Sequence, residues 1–521
     1  MDTKALRQKI LDLAIRGKLV PQDSNDEPAS VLLERIRQQK QQMVKEGKLK
    51  PKDIKNDSVI FVGEDNLHYE KFSDGSVKCI EDEIPFELPD GWAWARLSSI
   101  ADMALGKMLD VAKNKGSLRP YLRNINVRWG TFDLSDTLEM RFEDNELERY
   151  SICYGDLVMC EGGEPGRCAV WKSEEVVFYQ KALHRVRAIE ILPEYLYYVI
   201  RRFIISNQYE KYYTGTTIKH LTGQSLRMLP IPLPPLNEQK LIVEHLQRII
   251  EEIDKIEMRK TEAFSLVLLA KSKILDLAIR GKLVPQDSND EPASVLLERI
   301  RAEKEELIRQ GKIKRDKKES VIFRGEDNSY YVRQDTHTES IDEQFIFELP
   351  DNWEWCSLLN IAKIELGKTL DSAKNIGTNY PYLRSVNVRW NEVDLSDLKE
   401  MRFEPEELDR YTVRRNDLLI CEGGDVGRSC VWTDEKEILY QNALHRVRFY
   451  GGCNPFYFMY YMMYYESRGI IKALCKGVTI KHLTGNVLSL IPFALPPIEE
   501  QGRIVERLNR IFVLLNSIIC D

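Results

Sequence analysis

Residues 9–37 read KILDLAIRGKLVPQDSNDEPASVLLERIR, and residues 273–301 repeat them at every position. Outward from that pair the flanking segments recur too, less strictly. FELPDGWAW at Phe86 matches FELPDNWEW at Phe347, and YLRNINVRWGTFDLSD at Tyr121 matches YLRSVNVRWNEVDLSD at Tyr382. GDLVMCEGGEPGRCAVW at Gly155 matches NDLLICEGGDVGRSCVW at Asn416, and YQKALHRVR at Tyr179 matches YQNALHRVR at Tyr440. GTTIKHLTG at Gly215 matches GVTIKHLTG at Gly477, and IPLPPLNEQ at Ile231 matches FALPPIEEQ at Phe493. A period of about 262 residues is far too long for a solenoid, so the chain carries a duplicated domain.

After each copy comes a helix pattern. Ile242, Leu246, Ile249, Ile253 and Ile256 alternate steps of four and three, the seam of a coiled coil. The seam continues through Ala263, Val267, Ala270, Ile274 and Leu277, broken in register by Lys260, and stops at Gly281 and Pro285. The span is about 43 residues, roughly 65 Å at 1.5 Å per residue, and reads as a spacer. Ile504, Leu508, Ile511, Leu515 and Ile518 begin a second copy, and Leu6, Ile10 and Leu13 resume its seam. The spacing therefore predicts a circular arrangement in which the first residues dock beside the last. Pro292 and Gly311 bracket a further helix, with a charged loop expected from Lys312 to Asn328.

With 521 residues, 43% apolar and 30% charged, the chain suits several soluble domains. The most apolar run, Asn454 to Tyr465, is too short to cross a bilayer and predicts a buried helix; its counterpart, Pro193 to Phe203, carries Arg201 and Arg202. The amphipathic N-terminus recurs inside the chain, so it reads as structure rather than as a targeting peptide. Ten cysteines without a C-x-x-C pair predict reduced, mostly buried thiols and a cytoplasmic protein with no membrane partner. A net charge of −7 makes no compositional case for nucleic acid, which would need a local basic surface.

Taken together, Leu233-Pro234-Pro235 with Glu238-Gln239, Leu495-Pro496-Pro497 with Glu500-Gln501, the G-x-T-I-K-H-L-T-G segments and the split helix carry a family pattern. Their duplicated order resembles the specificity subunit of type I restriction–modification enzymes, over essentially the whole chain. The resemblance implies an α+β fold with two similar globular target-recognition domains, near residues 86–236 and 347–498. A pair of long antiparallel coiled-coil helices would separate them in a circular pseudo-two-fold repeat, built from residues 1–47, 237–311 and 499–521. Each domain would bind one half of a bipartite double-stranded DNA site, with the helices setting the gap. Two copies of a methyltransferase subunit would dock on the scaffold, with motor-nuclease subunits as further partners. The methyltransferase would use S-adenosylmethionine, so no cofactor and no catalysis are expected on this chain.

Local charge fits that implication. Residues 100–130 hold six Lys or Arg against two Asp, and residues 361–391 hold five against two acidic residues. Arg suits guanine and phosphate, and Asn suits adenine. The candidate DNA-binding residues are Lys107, Arg123, Asn124, Asn126, Arg128 and Trp129, with Lys219 and His220 on a loop. In the second copy they are Lys368, Arg384, Ser385, Asn387, Arg389 and Trp390, with Lys481 and His482. The competing reading makes the Tyr-Leu-Arg segment a packing strand and the Lys-His pairs a fold-stabilising turn. Glu161-Gly162-Gly163 and Glu422-Gly423-Gly424 match no phosphate-loop fingerprint and read as turns between strands. Asn454-Pro455-Phe456-Tyr457 only half matches an adenine-methyltransferase motif. His184 and His445 read as strand residues, and no metal or catalytic constellation emerges. The rival functions are an enzyme carrying its own recognition domains, a protein-only coiled-coil adaptor, and a modification-only system.

Overall fold

The computed structural model describes residues 2–55, 57–110, 112–217, 219–315, 320–327, 329–334, 337–341, 347–371, 375–475 and 482–520. They form two compact units, Met1–Arg259 and Lys260–Asp521.

The first unit starts with the helix Thr3–Ile15, capped by Asp2, which accepts the Ala5 N–H at 3.0 Å. Gly17 ends it at φ 63°, with the Gly17 and Lys18 N–H groups closing onto Ala14 and Leu13 carbonyls. A Cβ on Gly17 would lie 2.5 Å from Pro89 Cγ, where the Phe-Glu-Leu-Pro segment passes. Gly281 repeats this in the second unit at φ 65°, with its virtual Cβ 2.5 Å from Pro350 Cγ. The glycine is thus demanded twice over, by backbone sign and by space.

The seam predicted from Glu238 is one continuous helix of 44 residues, Leu236–Ile279, which suits a coiled-coil linker. Within the first unit its early turns run antiparallel to Thr3–Ile15. Arg7 pairs with Asp254 and Glu257, and Asn237 donates to Asp26 at 2.8 Å. Ile10, Leu11, Ala14 and Ile15 join Ile242, Leu246 and Ile253 in one core. In the second unit the later turns meet Ile498–Cys520 in the same way: Lys271 donates to Asn516 at 2.6 Å, and Arg503 pairs with Asp290. Lys271 and Asn516 stand where the repeat puts Arg7 and Asp254.

After the helix Ala29–Lys45, a three-stranded antiparallel meander runs β1 (Ser58–Val62), β2 (His68–Phe72) and β3 (Val77–Cys79). Its second copy, Ser320–Arg324, Tyr330–Gln334 and His337–Ser340, corrects the charged loop expected over 312–328. The alternation in Ser-Val-Ile-Phe, closed by a Gly-Glu-Asp-Asn turn, is a hairpin signal that the surrounding charge obscured.

The recognition domain follows as β4 (Ala93–Arg96), β5 (Ala101–Leu105), β6 (Ser117–Leu122), β7 (Val127–Arg128), β8 (Thr131–Phe132) and β9 (Leu138–Phe142). Then come β10 (Ser151–Ile152), β11 (Leu157–Cys160), β12 (Cys168–Val170), β13 (Val177–Tyr179), β14 (Leu183–Ala188) and β15 (Pro230–Leu233). Two four-stranded sheets, β12-β11-β14-β5 and β10-β13-β6-β9, carry the domain, and β4 pairs with β15. The second unit repeats all three arrangements. The aromatic runs form the buried helices Pro193–Ile205 and Pro455–Ser467.

The Leu-Pro-Pro-x-x-Glu-Gln motif joins this domain to its outgoing helix. Trp92 Nε1 donates to Glu238 and Trp353 Nε1 to Glu500, each at 2.9 Å. Gln239 accepts the Leu192 N–H at 3.2 Å and donates to the Pro234 carbonyl at 3.1 Å; Gln501 does the same for Asn454 and Pro496. Both glutamines are fully buried, so the motif is a joint rather than a binding surface. Among the described residues no helix is long and apolar enough to cross a membrane.

Candidate nucleic-acid interface

The motif chosen as a reading edge divides into framework and surface. Past the end of β6 the chain makes a single 3-10 turn, Asn124–Asn126, before β7. Asn126 is 1% exposed and holds that turn from inside. It accepts the Arg123 N–H at 2.8 Å and donates to the Asp133 and Asp136 carbonyls at 2.9 Å. Asn387 does the same with Arg384, Asp394 and Asp397. The Arg123 guanidinium is tied to the Asp136 carboxylate and carbonyl, both at 2.8 Å, and Arg384 is tied likewise to Asp397.

Lys107 and Lys368 do not reach the surface either. Lys107 is 5% exposed and sits between Glu143 and Glu146, over the Phe142 ring. Burial alone would lower its pKa, but the two carboxylates hold it above the usual lysine range. Lys368 is buried against Glu407. Each ammonium group is taken up by carboxylates of its own domain rather than offered to a phosphate.

The surface set is smaller. Arg128 and Arg389 are exposed and only loosely held, 3.4 Å from Asp133 and 4.0 Å from Asp394. Trp129 is half-buried, its Nε1 donating to Glu164 at 2.7 Å. Trp390 and Arg389 line a cleft with Gly424, Asp425 and Lys472. Lys219 is exposed beside Glu210 and 5.9 Å from the Tyr213 ring. His220 pairs its backbone with Thr214 at 2.8 and 2.9 Å. His482 is exposed, and Lys481 lies outside the described residues.

One element brings these pieces together that sequence reasoning had treated as a mere turn. The Glu161-Gly162-Gly163 segment does link β11 to β12, as expected, but it also lies between the 3-10 turn and the Lys-His loop. Asn124 Nδ2 donates to the Gly162 carbonyl at 2.9 Å. The His220 ring packs so close that a Cβ on Gly162 would come within 2.8 Å of its Nδ1. Glu161 accepts the Leu221 N–H at 2.7 Å. Arg167 donates to the Asn124 carbonyl at 2.9 Å and to Glu164 at 2.7 Å. The result is a surface of two arginine-bearing turns, a flat indole and an imidazole. Such groups clamp phosphates and reach base edges.

The other candidates are structural. His184 and His445 lie in buried strands with Nε2 on the Leu221 and Leu483 carbonyls, at 2.9 and 2.8 Å, and burial pushes both pKa values down. Asn454 caps a helix by accepting the Phe456 N–H at 3.0 Å, with Pro455 in the first turn. Among the described residues no group of His, Cys, Asp and Glu could hold a metal.

Comparison with known proteins gives a consistent result. The family described as type I restriction modification DNA specificity domain matches residues 89–263 and again 350–519. The type I restriction enzyme EcoAI specificity subunit of Escherichia coli is 26% identical, covering 99% of this chain and 90% of its own length. The EcoEI specificity subunit of Escherichia coli is also 26% identical, covering 99% and 89%. A chain solved in work on complex assembly and conformational transition of the type I R-M system superposes with a TM-score of 0.54 at 19% identity. It covers 84% of this chain and 93% of that one, a likeness of fold.

Proposed function

The chain belongs to the type I restriction modification DNA specificity domain family, and from that premise we propose that each of its units reads one half of a split double-stranded DNA site. It is a specificity subunit, non-catalytic, with two target-recognition domains. The observation carrying the reading is that the same loop cluster is built twice, once in each unit that matches the family. Arg128, Trp129, Lys219 and His220 form the contact surface of the first domain; Arg389, Trp390 and His482 form that of the second. Lys107, Arg123, Asn126 and their counterparts Lys368, Arg384 and Asn387 hold that surface in shape. The helix Leu236–Ile279 acts as the ruler for the gap.

Two copies of a methyltransferase subunit, using S-adenosylmethionine, dock on the duplicated helical segments, with motor-nuclease subunits as further partners of the complex. The identity of residues 9–37 with 273–301 supports this, since one partner bound twice needs the same surface twice. The test is single-molecule detection of methylated adenine in cells with and without the gene. A bipartite motif that disappears with the gene is expected. If no motif depends on the gene, the reading fails.

A further inference from the structure

We infer that Asn124 is a positioning residue that makes the first domain read its half-site more strictly than the second, where Ser385 takes its place; this rests on the function proposed above. The two domains provide a controlled comparison, because the backbone at this point is held alike in both. Arg167 donates to the Asn124 carbonyl and Arg428 to the Ser385 carbonyl, each at 2.9 Å. Cys160 and Cys421 approach the same carbonyls at 3.8 and 3.7 Å. Asn126 and Asn387 close the turns identically. Gly163 and Gly424 bend the Gly-rich turn at φ 78° and 76°.

The side-chain latches differ. Asn124 Nδ2 donates to the Gly162 carbonyl at 2.9 Å, and since a carbonyl can only accept, the amide has one orientation. A serine hydroxyl is too short to span that gap. Among the described residues, the Ser385 hydroxyl makes no such bond to Gly423. A second latch differs in the same direction. Trp129 Nε1 donates to Glu164 at 2.7 Å, whereas Asp425 is one methylene shorter, pairs with Arg428, and receives no bond from Trp390 among the described residues. The turn also sits closer to its histidine in the first domain. A Cβ on Gly162 would be 2.8 Å from His220 Nδ1, against 3.4 Å from Gly423 to His482 Nδ1.

A turn latched before DNA arrives discriminates by geometry it need not rearrange, while an unlatched turn can adjust to more than one base. The experiment exchanges the latches in the full chain, co-expressed with its methyltransferase, and reads the methylated motif genome-wide. Asn124→Ser with Glu164→Asp is expected to relax base preference in one half of the motif, by about fivefold per lost hydrogen bond, leaving the other half unchanged. Ser385→Asn with Asp425→Glu is expected to sharpen the other half. A merely structural role would weaken both halves together, with less methylation overall, and that result overturns the inference. So does a motif left unaltered by both exchanges while Arg128→Ala degrades it. If even the unmodified chain directs no bipartite motif, the proposed function falls and takes this inference with it.

Discussion

Replacing Asn126 with alanine removes one acceptor and two donors from a side chain that is 1% exposed. The partners left behind are the Arg123 N–H and the carbonyls of Asp133 and Asp136, now at 2.8 to 2.9 Å. A buried polar group left without a partner costs about 1–3 kcal/mol. Asp133 and Asp136 lie near solvent, so water recovers part of that, and about 2–4 kcal/mol in total is expected. In a unit of this size each kcal/mol moves Tm by roughly 2–4 °C, which puts the first unit's transition roughly 4–16 °C lower. Arg128, two residues on, is half-exposed and 3.4 Å from its nearest carboxylate, an interaction worth less than about 1 kcal/mol. Arg128→Ala should therefore melt within about 4 °C of the parent. It should instead weaken DNA binding and flatten the dependence of log K on log salt by about one unit, as for one lost phosphate contact. Thermal denaturation of the purified chain and DNA titrations of the assembled complex over a salt series separate the two variants. An Asn126→Ala chain that melts normally but loses DNA would refute the division into framework and surface.

Three further outcomes follow from the joints and ends. Glu238 is buried, and burial outweighs the Trp92 hydrogen bond, so its carboxyl is pushed up to about 6 from 4.5. The folded state then binds this proton more tightly than the unfolded state, so the contribution of Glu238 to stability is fullest below pH 4.5 and is lost as pH rises through 6, by up to about 2 kcal/mol. Glu238→Gln, which still accepts from Trp92, should be more stable than the parent at pH 8 but not at pH 4.5 in denaturant titrations; equal gains at both would contradict the assignment. Gly17→Ala and Gly281→Ala each meet a proline Cγ at 2.5 Å as well as a positive φ. Each should destabilise its own unit by about 2 kcal/mol or more, and two unchanged melting curves would sink the close-approach argument. Deleting residues 1–16 strips Ile10, Leu11, Ala14 and Ile15 from the first core and should impair assembly with the methyltransferase; full assembly by size-exclusion chromatography would count against the helix pairing.

Much of the architecture was legible because the repeat supplied a second witness for each pattern. The seam from Glu238 and the stop at Gly281 delimit the 44-residue helix almost to the residue. Periodicity and a glycine C-cap are local signals, and nothing distant overrides them here. Lys107 shows where such reading ends. Beside Lys113 and Lys115 it looks like part of a basic strip. Yet Gly106 lets the backbone press against Gln180, with a virtual Cβ only 2.2 Å from that carbonyl, and this draws Lys107 beneath Glu143 and Glu146. Those partners lie 36 and 39 residues further on, and the pairing depends on sheet register that charge counting does not register. The importance of Gly162 was hidden for the same reason, since it depends on His220 arriving from a third segment.

The same duplication sorts the interface by what each residue can do. A residue identical in both copies and buried, such as Asn126 with Asn387, carries shape. A residue identical and exposed, such as Arg128 with Arg389 or His220 with His482, serves both half-sites equally and cannot tell them apart. Difference between the half-sites must therefore come from exposed positions where the copies diverge beside that shared surface. Ile125 against Val386 crowns the 3-10 turn, both exposed, at 46% and 52%. Gly130-Thr131 against Asn391-Glu392 follows the arginine and indole directly, with Gly130 and Asn391 sharing a left-handed backbone at φ 76° and 62°. A glutamate there can accept from a cytosine amino group and an exposed methyl can meet thymine, so a few such exchanges change the bases read without touching the frame. Two half-sites with a common core of shared bases and divergence at its edge are the expected consequence. Exchanging residues 125, 130 and 131 for their counterparts should carry the edge bases, and only those, from one half of the methylated motif to the other.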